Sequence, residues 1–129
     1  MKRLLTGINI QYPISELIVN GVKTIETRTY PIPKEYIGKE MVIIETPGKL
    51  GKFKARMIGL VMFGESFEYG SADEFYKDTG KHCVEKESVW KWVDGVKKYG
   101  WPVVKVEKLE KVRPAPKKKG IKFTRGIRV

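Results

Sequence analysis

The sequence predicts an α+β fold, a small mixed β-barrel of about five to six strands with two to three short helices. Runs of apolar and β-branched residues recur at strand length along the chain, and only a few stretches between them have helical spacing. Closure into a barrel would remove exposed sheet edges. A chain of 129 residues with 41% hydrophobic content can bury one core, so we expect residues 1–129 to form a single domain.

The first half of the chain supplies most of the predicted strands. Apolar and β-branched runs predict strands at residues 4–10, 23–30, 40–46 and 53–63. Pro13 opens a short helical pattern that Asn20 and Gly21 end. Pro31 ends the second strand, and Gly59 indicates a bulge or bend inside the fourth.

Two further helices and two further strands are predicted in the second half. Ser71 and Glu74 have the spacing of a capping box, and Gly80 is the predicted stop of that helix. Another helix is predicted from Ser88 to about Lys98. Alternation of apolar and charged residues from 102 to 112 predicts a half-exposed strand, and residues 114–116 form a loop before the last strand. The predicted order is β-α-β-β-β-α-α-β-β.

The charge is strongly positive and uneven. Lys and Arg total 26 against 15 Asp and Glu, a formal charge of +11, which favours polyanionic partners such as RNA, DNA or phosphorylated ligands. The basic C-terminal segment, residues 111–129, has eight basic residues and no acidic one. Interleaved apolar residues there indicate an ordered strand with a basic outer face, although a solvated tail would have the same charge. The predicted phosphate contacts are Lys117, Lys118, Lys119, Lys122 and Arg125.

Several classes of function are disfavoured. Cys83 is the single cysteine and His82 the single histidine, so neither a disulfide framework nor a metal site is expected. We expect no cofactor, because the sequence lacks the glycine-rich nucleotide motifs and the metalloprotease motif. No apolar run is long enough for a signal peptide or a membrane span, and we expect a cytoplasmic protein without a membrane partner.

The strand at 23–30 carries the main candidate site residues. On a strand, Thr24, Glu26 and Arg28 share one face, with Glu26 and Arg28 about 7 Å apart, while Ile25 faces the core. These charged side chains could simply lie on a solvent-exposed face of the strand, where an ion pair contributes little to stability. If the face lines a cleft, Lys23 could act as a base, the carboxylate could accept from a nucleobase amine, and the arginine could hold a phosphate.

The histidine and the tryptophans allow both structural and functional interpretations. His82 and Cys83 are neighbours whose side chains point apart, so they do not form a nucleophile and base pair. His82 alone could lie at a pocket rim or be a loop histidine bonded to backbone. The tryptophans could stack on bases, but we expect Trp101 and either Trp90 or Trp92 to be buried.

The stretch GVKTIETRTYPIP, residues 21–33, resembles the G-x-K-T-I-E-x-R signature of the ASCH family, which has a PUA-like β-barrel fold. The stretches YIGKEMVIIET, SADEFYKDTGKHCV and KKYGWPVVKVEKLEKVRPAPKKKG extend this resemblance over nearly the whole chain. The resemblance implies that the signature forms a cleft that binds RNA or a modified nucleobase. The ligand-binding residues it implies are Gly21, Lys23, Thr24, Glu26, Arg28 and His82.

The resemblance also implies an enzymatic alternative. Some similar proteins are amidohydrolases that remove acyl groups from N4-acylcytidine with a lysine of this motif, a threonine three residues later and a downstream glutamate. Lys23 matches the lysine, Glu26 stands at the threonine position, and the acid would be Glu85 or Glu87. The catalytic residues would then be Lys23, Glu26 and Glu87. A protein-interaction module is a third possibility, and whether the chain is an enzyme stays open at this point.

Overall fold

The computed structural model describes residues 3–117, 120 and 122–128. These residues form seven strands and three short helices, which confirms the predicted α+β class. The elements are β1 (Leu4–Gln11), α1 (Ile14–Val19), β2 (Ile25–Arg28), β3 (Glu40–Thr46), β4 (Arg56–Phe63), β5 (Phe67–Glu68), α2 (Ala72–Lys77), α3 (Thr79–His82), β6 (Tyr99–Pro114) and β7 (Phe123–Arg128). A short 3₁₀ turn, Lys34–Tyr36, precedes β3.

The strands form one mixed sheet in the order β2-β6-β4-β3-β1-β7, with β5 also paired to β6. β1 and β3 are parallel, and the other pairs are antiparallel. Strand β6 is 16 residues long and pairs with β2 and β5 through its first residues and with β4 through the rest. Among the described residues no pairing joins β2 to β7, so the sheet curves without closing and the predicted barrel is a loose one.

Two apolar clusters lie on opposite faces of the sheet. Trp101 is fully buried in the larger cluster, where its indole Nε1 donates to the Tyr30 carbonyl (3.1 Å) and its ring contacts Phe63. This burial confirms the core position predicted for Trp101. The inner strand β3 contributes Ile43 to the larger cluster and Ile44 to the smaller one. Because β3 is covered on both faces, its sequence is a continuous apolar run rather than an alternating one.

Three local predictions in the second half have different outcomes. The Ser71 cap is confirmed, since its hydroxyl accepts from the Glu74 amide (3.2 Å) and the Glu74 carboxylate accepts from the Gly70 amide (2.7 Å). The prediction that Gly80 ends this helix was wrong, because α2 ends one turn earlier and Gly80 lies inside α3. The loop predicted at 114–116 was partly wrong, since β6 continues through Pro114.

The helix predicted from Ser88 to Lys98 is wrong. Residues 85–98 form turns, and Val89, whose spacing to later valines suggested a helical face, is 87% exposed. Within the part of the chain that the structure describes, no apolar partner covers that face, since Val93 and Val96 are exposed as well. A short helix depends on such packing for its stability. Side-chain bonds hold the segment instead: the Trp92 amide donates to the Tyr76 hydroxyl (3.1 Å) and Lys98 Nζ donates to the Trp90 carbonyl (2.9 Å).

Two features of the described chain bear on function. Within residues 3–117, 120 and 122–128, no helix combines the length and apolar character that a membrane crossing requires. In the same residues, no group of three His, Cys, Asp or Glu side chains is placed to hold a metal ion.

The bend at Gly59 provides a test of the packing. The register between β4 and β6 shifts at this residue, as predicted, and a Cβ there would lie 2.5 Å from Val19 Cγ2 and 2.8 Å from the Glu107 carbonyl oxygen. Gly59→Ala should therefore lower the free energy of unfolding by about 1–3 kcal/mol in urea denaturation.

The matched control is Gly80→Ala, because a Cβ at Gly80 would meet nothing within 4 Å. This variant should be unchanged or more stable by about 0.4–1 kcal/mol. Equal stabilities for the two alanine variants would contradict the close packing of β4 on β6.

Candidate functional site

A cleft of about 250 Å³ opens where β1, β2 and the end of β3 meet the segment after α3. It is lined by polar side chains from the strands and by apolar side chains from α1 and the later segment. We call it the polar lobe, and its lining residues are Asn9, Ile10, Gln11, Ile14, Lys23, Glu26, Thr27, Arg28, Thr46, Val84 and Trp90. The structure thus brings together Lys23, Glu26 and Arg28, the three charged residues of the G-x-K-T-I-E-x-R stretch.

Lys23 enters the cleft from a tight turn after α1. The amides of Val22 and Lys23 both donate to the Leu17 carbonyl (2.9 Å each), and Gly21 adopts a positive φ of 77° that favours glycine. This turn directs the Lys23 side chain inward, where it is 2% exposed. Its ammonium donates to the His82 carbonyl and lies 3.8 Å from Glu26 Oε1. Burial lowers the pKa of Lys23, and Glu26 offsets that effect only in part.

Glu26 lies between two cations. It is 5% exposed, and its Oε2 accepts from Arg28 Nε (3.0 Å) while Oε1 accepts from the Thr27 amide (3.1 Å) and faces Lys23. One carboxylate therefore serves two positive groups. With Lys23 protonated, the three side chains carry a net positive charge, which favours a ligand that is anionic or rich in hydrogen-bond acceptors.

Arg28 is held by three separate acceptors. Besides Glu26, its Nη1 donates to the Tyr30 hydroxyl (3.0 Å) and its Nη2 to the Asn9 carbonyl (3.0 Å). The guanidinium also lies 5.5 Å from the centre of the Trp101 ring. Burial opposes the charge of Arg28, but Glu26 and Tyr30 outweigh it and raise its pKa. Arg28 is thus a preorganised, permanently charged wall of the cleft.

His82 supplies its backbone to the site. Its ring is fully buried and stacks on Phe75 with centroids 4.1 Å apart. Nε2 lies 2.6 Å from the Phe75 carbonyl, and Nδ1 accepts from the Val84 amide (3.0 Å). These partners require a neutral ring protonated on Nε2. Because the ring is engaged by backbone groups, the contact that reaches the site is the carbonyl that accepts from Lys23.

A second cavity of about 290 Å³ adjoins the polar lobe. We call it the apolar lobe, because Tyr12, Leu17, Leu50 and Val89 contribute much of its wall. The two lobes share Gln11, Ile14, Lys23, Val84 and Trp90. Trp90 is 43% exposed and lies at the junction of the lobes, since it lines both. The bond from Lys98 Nζ to its carbonyl holds the Trp90 backbone in place.

Other residues of the predicted site lie outside the lining of both lobes. Gly21 shapes the turn, and Thr24 is exposed with its amide bonded to the Lys81 carbonyl (2.8 Å). Glu85 and Glu87 are exposed, and neither is among the described residues that line the lobes. No acid from the 85–87 turn therefore lines the cleft beside Lys23.

The predicted phosphate contacts are only partly described. Lys122 is exposed, and its Nζ lies 4.2 Å from the centre of the Tyr30 ring, next to Arg28. Lys117 and Arg125 are also exposed, with Arg125 4.0 Å from the Glu35 carboxylate. Lys118 and Lys119 lie outside the described residues.

Sequence reasoning missed several residues that line the polar lobe. Asn9 and Gln11 alternate with Ile8 and Ile10 along β1, an inner strand of the sheet. Polar residues on one face of an inner strand indicate that this face borders a polar cavity, and this signal was available. Thr46 had no comparable signal, because its position depends on the parallel pairing of β1 with β3.

The fold and the cleft define a small α+β protein with a charged cleft at the edge of a mixed sheet. Comparison with solved structures finds the ASCH protein of Zymomonas mobilis, with a TM-score of 0.66, 15% identity, and coverage of 93% of this chain and 85% of that one. Two single-residue variants of that protein match with TM-scores of 0.65 and 0.62 and identities of 15% and 17%, covering 93% and 87% of this chain and 86% and 76% of theirs. The predicted resemblance to ASCH proteins is therefore confirmed for the fold.

Sequence comparisons add nothing to this structural likeness. No protein-family model matches the chain, and no curated protein matches it.

The neutral state of His82 predicts a pH dependence of stability. Burial lowers the pKa of His82 from 6.5, and the hydrogen bond to Phe75 offsets this only in part. Between the lowered pKa and 6.5, the unfolded chain binds more protons than the folded one, so the free energy of unfolding should fall as the pH drops below about 6.5. Urea denaturation across this range measures the slope.

His82→Phe is the matched variant, because it keeps a ring against Phe75 and removes the one imidazole of the chain. Its free energy of unfolding should be lower at all pH values. The part of the pH dependence that comes from His82 should be absent. An NMR titration of His82 that gives a pKa at or above 6.5 would contradict the prediction.

Proposed function

We propose that this chain is an ASCH-family protein that binds single-stranded RNA and takes one nucleobase into the polar lobe. The observation that supports the proposal best is the convergence of Lys23, Glu26 and Arg28 on one cleft with Trp90 at its edge. Cations, acceptors and an aromatic face in one concave site suit a planar, polar ligand that is attached to phosphate.

The size of the polar lobe supports a single base. Its volume of about 250 Å³ lies just under the range of roughly 300–1,000 Å³ that is common for pockets of drug-sized ligands. Gln11, Thr27 and Thr46 belong to the lining, and their side chains carry donors and acceptors that suit a base edge. A modified nucleobase is an equally suitable occupant.

Gly120 and Lys122 of the basic C-terminal segment lie beside the same lobe. The backbone amide of Asn9 donates to the Lys122 carbonyl (2.9 Å), and its side-chain Nδ2 donates to the Gly120 carbonyl (2.6 Å). Lys122 is therefore beside a strand that lines the lobe, and its ammonium lies over Tyr30. We propose that Lys122, Arg125 and Lys117, together with Lys118 and Lys119, contact the RNA backbone.

Fluorescence anisotropy with labelled single-stranded RNA tests this proposal. Trp90→Ala should weaken binding roughly 5- to 150-fold, because base stacking contributes about 1–3 kcal/mol. Lys122→Gln should weaken binding equally for all sequences and reduce the dependence of log K on log salt by about 0.7.

The controls are Phe67→Ala, which removes a ring of similar exposure (40%) that lines neither lobe, and Lys105→Gln on β6. Both should bind RNA like the wild type. Absence of wild-type binding at low salt would reject the proposal.

The state of Lys23 favours a second candidate function, hydrolysis of an N4-acylated cytidine. Lys23 lines the cleft, burial lowers its pKa, and a carboxylate lies 3.8 Å away. An unprotonated Lys23 could activate water for attack on the acyl carbon, so that the C–N bond breaks and the nucleobase amine leaves. Glu26, rather than Glu87, is the carboxylate within reach of Lys23.

Liquid chromatography of N4-acetylcytidine incubated with the protein tests this candidate. The wild type should release cytidine, with a rate that rises as Lys23 loses its proton, and Lys23→Met should be inactive. Lys105→Met controls for loss of a lysine charge elsewhere. No cytidine at high protein concentration would rule the reaction out, and the RNA-binding proposal would be unaffected.

A further inference from the structure

The loop between β3 and β4 carries a second group of basic residues, which we call the lysine loop: Lys49, Lys52 and Lys54. All three are exposed, and within the described part of the chain none of them forms an ion pair. The sequence has no acidic residue between Glu45 and Glu65, so every charged side chain of this segment is basic.

The lysine loop is anchored rather than free. The Gly51 amide donates to the Pro47 carbonyl (2.8 Å), and the Phe53 ring meets Tyr12 edge to face at 5.4 Å. Arg56 lies 3.9 Å over the Phe53 ring and donates to the buried Glu45 carboxylate (2.7 Å). These contacts hold the backbone of the loop against the sheet.

The lysine loop borders the apolar lobe. Leu50, between two of the lysines, lines the lobe, and so does Tyr12, on which the loop is anchored. Neither residue lines the polar lobe, whereas Arg28 lines the polar lobe and not the apolar one. Each lobe of the cleft therefore has basic residues beside it: Arg28 and Lys122 beside the polar lobe, and the lysine loop beside the apolar lobe.

We propose that single-stranded RNA crosses both lobes, with one base in the polar lobe, the neighbouring base in the apolar lobe, and its phosphates on the lysine loop beyond. This inference rests on the proposed RNA binding. The shared wall at Trp90 places the lobes side by side, as consecutive bases of one strand require. The largely apolar lining of the second lobe suits a base held by stacking, which tolerates any sequence.

The strand must be single. Bases that enter two lobes have to leave their partners and unstack, and a paired duplex does not present its bases in that way. The lysine loop would act on phosphates alone, so it should add affinity and salt dependence without sequence preference.

The experiment compares Lys49→Gln/Lys52→Gln/Lys54→Gln with a matched triple variant on β6, Lys105→Gln/Lys108→Gln/Lys111→Gln. The β6 lysines are also exposed, and none of them lines either lobe. Each protein is titrated with uridine monophosphate, with oligouridine of about six nucleotides and with an RNA duplex of the same length, at several salt concentrations.

The lysine-loop variant should bind uridine monophosphate like the wild type but should lose much of the extra affinity for the oligonucleotide. For the oligonucleotide, the slope of log K against log salt should decrease in magnitude by up to about 2, since each lost phosphate contact on a single strand contributes about 0.7. The β6 variant should match the wild type, and oligodeoxyuridine in a parallel titration shows whether the path also accepts DNA.

Three results would overturn the inference. One is equal losses in the two triple variants. Another is wild-type binding of duplex as tight as binding of single strand, or competition by polyglutamate as strong as by RNA, because either indicates a general anionic surface. The third is the absence of any wild-type RNA binding. The second and third results remove the proposed function as well, whereas the first leaves it standing.

Discussion

The buried carboxylate of Glu26, shared between Lys23 and Arg28, is the interaction on which the cleft depends. An isolated buried charge costs several kcal/mol, and removal of one partner from a buried pair leaves such a charge behind. The three charges are therefore stable only together, at 3.8 Å and 3.0 Å from the carboxylate. Their remaining donors are held by the Tyr30 hydroxyl and by the Asn9 and His82 carbonyls, which belong to other parts of the chain.

This dependence explains why distant segments converge at one place. The turn at Gly21 directs the lysine inward, and α3 ends so that its last carbonyl meets that lysine. The ring of His82 is held by Phe75 and Val84, so the acceptor has a fixed position. Contacts within the chain therefore fix the shape of the cleft, and a site preorganised in this way loses less conformational entropy when it binds a ligand.

Two local sequence patterns suggested surroundings that the structure does not have, and one physical reason explains both. The valines after Ser88 have helical spacing, but spacing creates a helix only where a surface covers the apolar face, and here Val89 faces solvent. Conversely, charged residues on one face of a strand are typical of a solvent-exposed surface, yet the Glu26 and Arg28 side chains are only 7% and 16% exposed. Local pattern describes which side chains share a face, and the neighbouring elements decide whether that face is covered.

The sequence by itself determined the α+β class, most strands, the cap at Ser71 and the bend at Gly59, because these depend on local propensity, hydrogen bonding and spacing. It also singled out Lys23, Glu26 and Arg28. Only the tertiary structure decided that these charges line a cleft, that the ring of His82 serves the core, and that β1 and the lysine loop border the lobes. Those outcomes depend on contacts between residues far apart in the chain, such as the parallel pairing of β1 with β3, which no local pattern encodes.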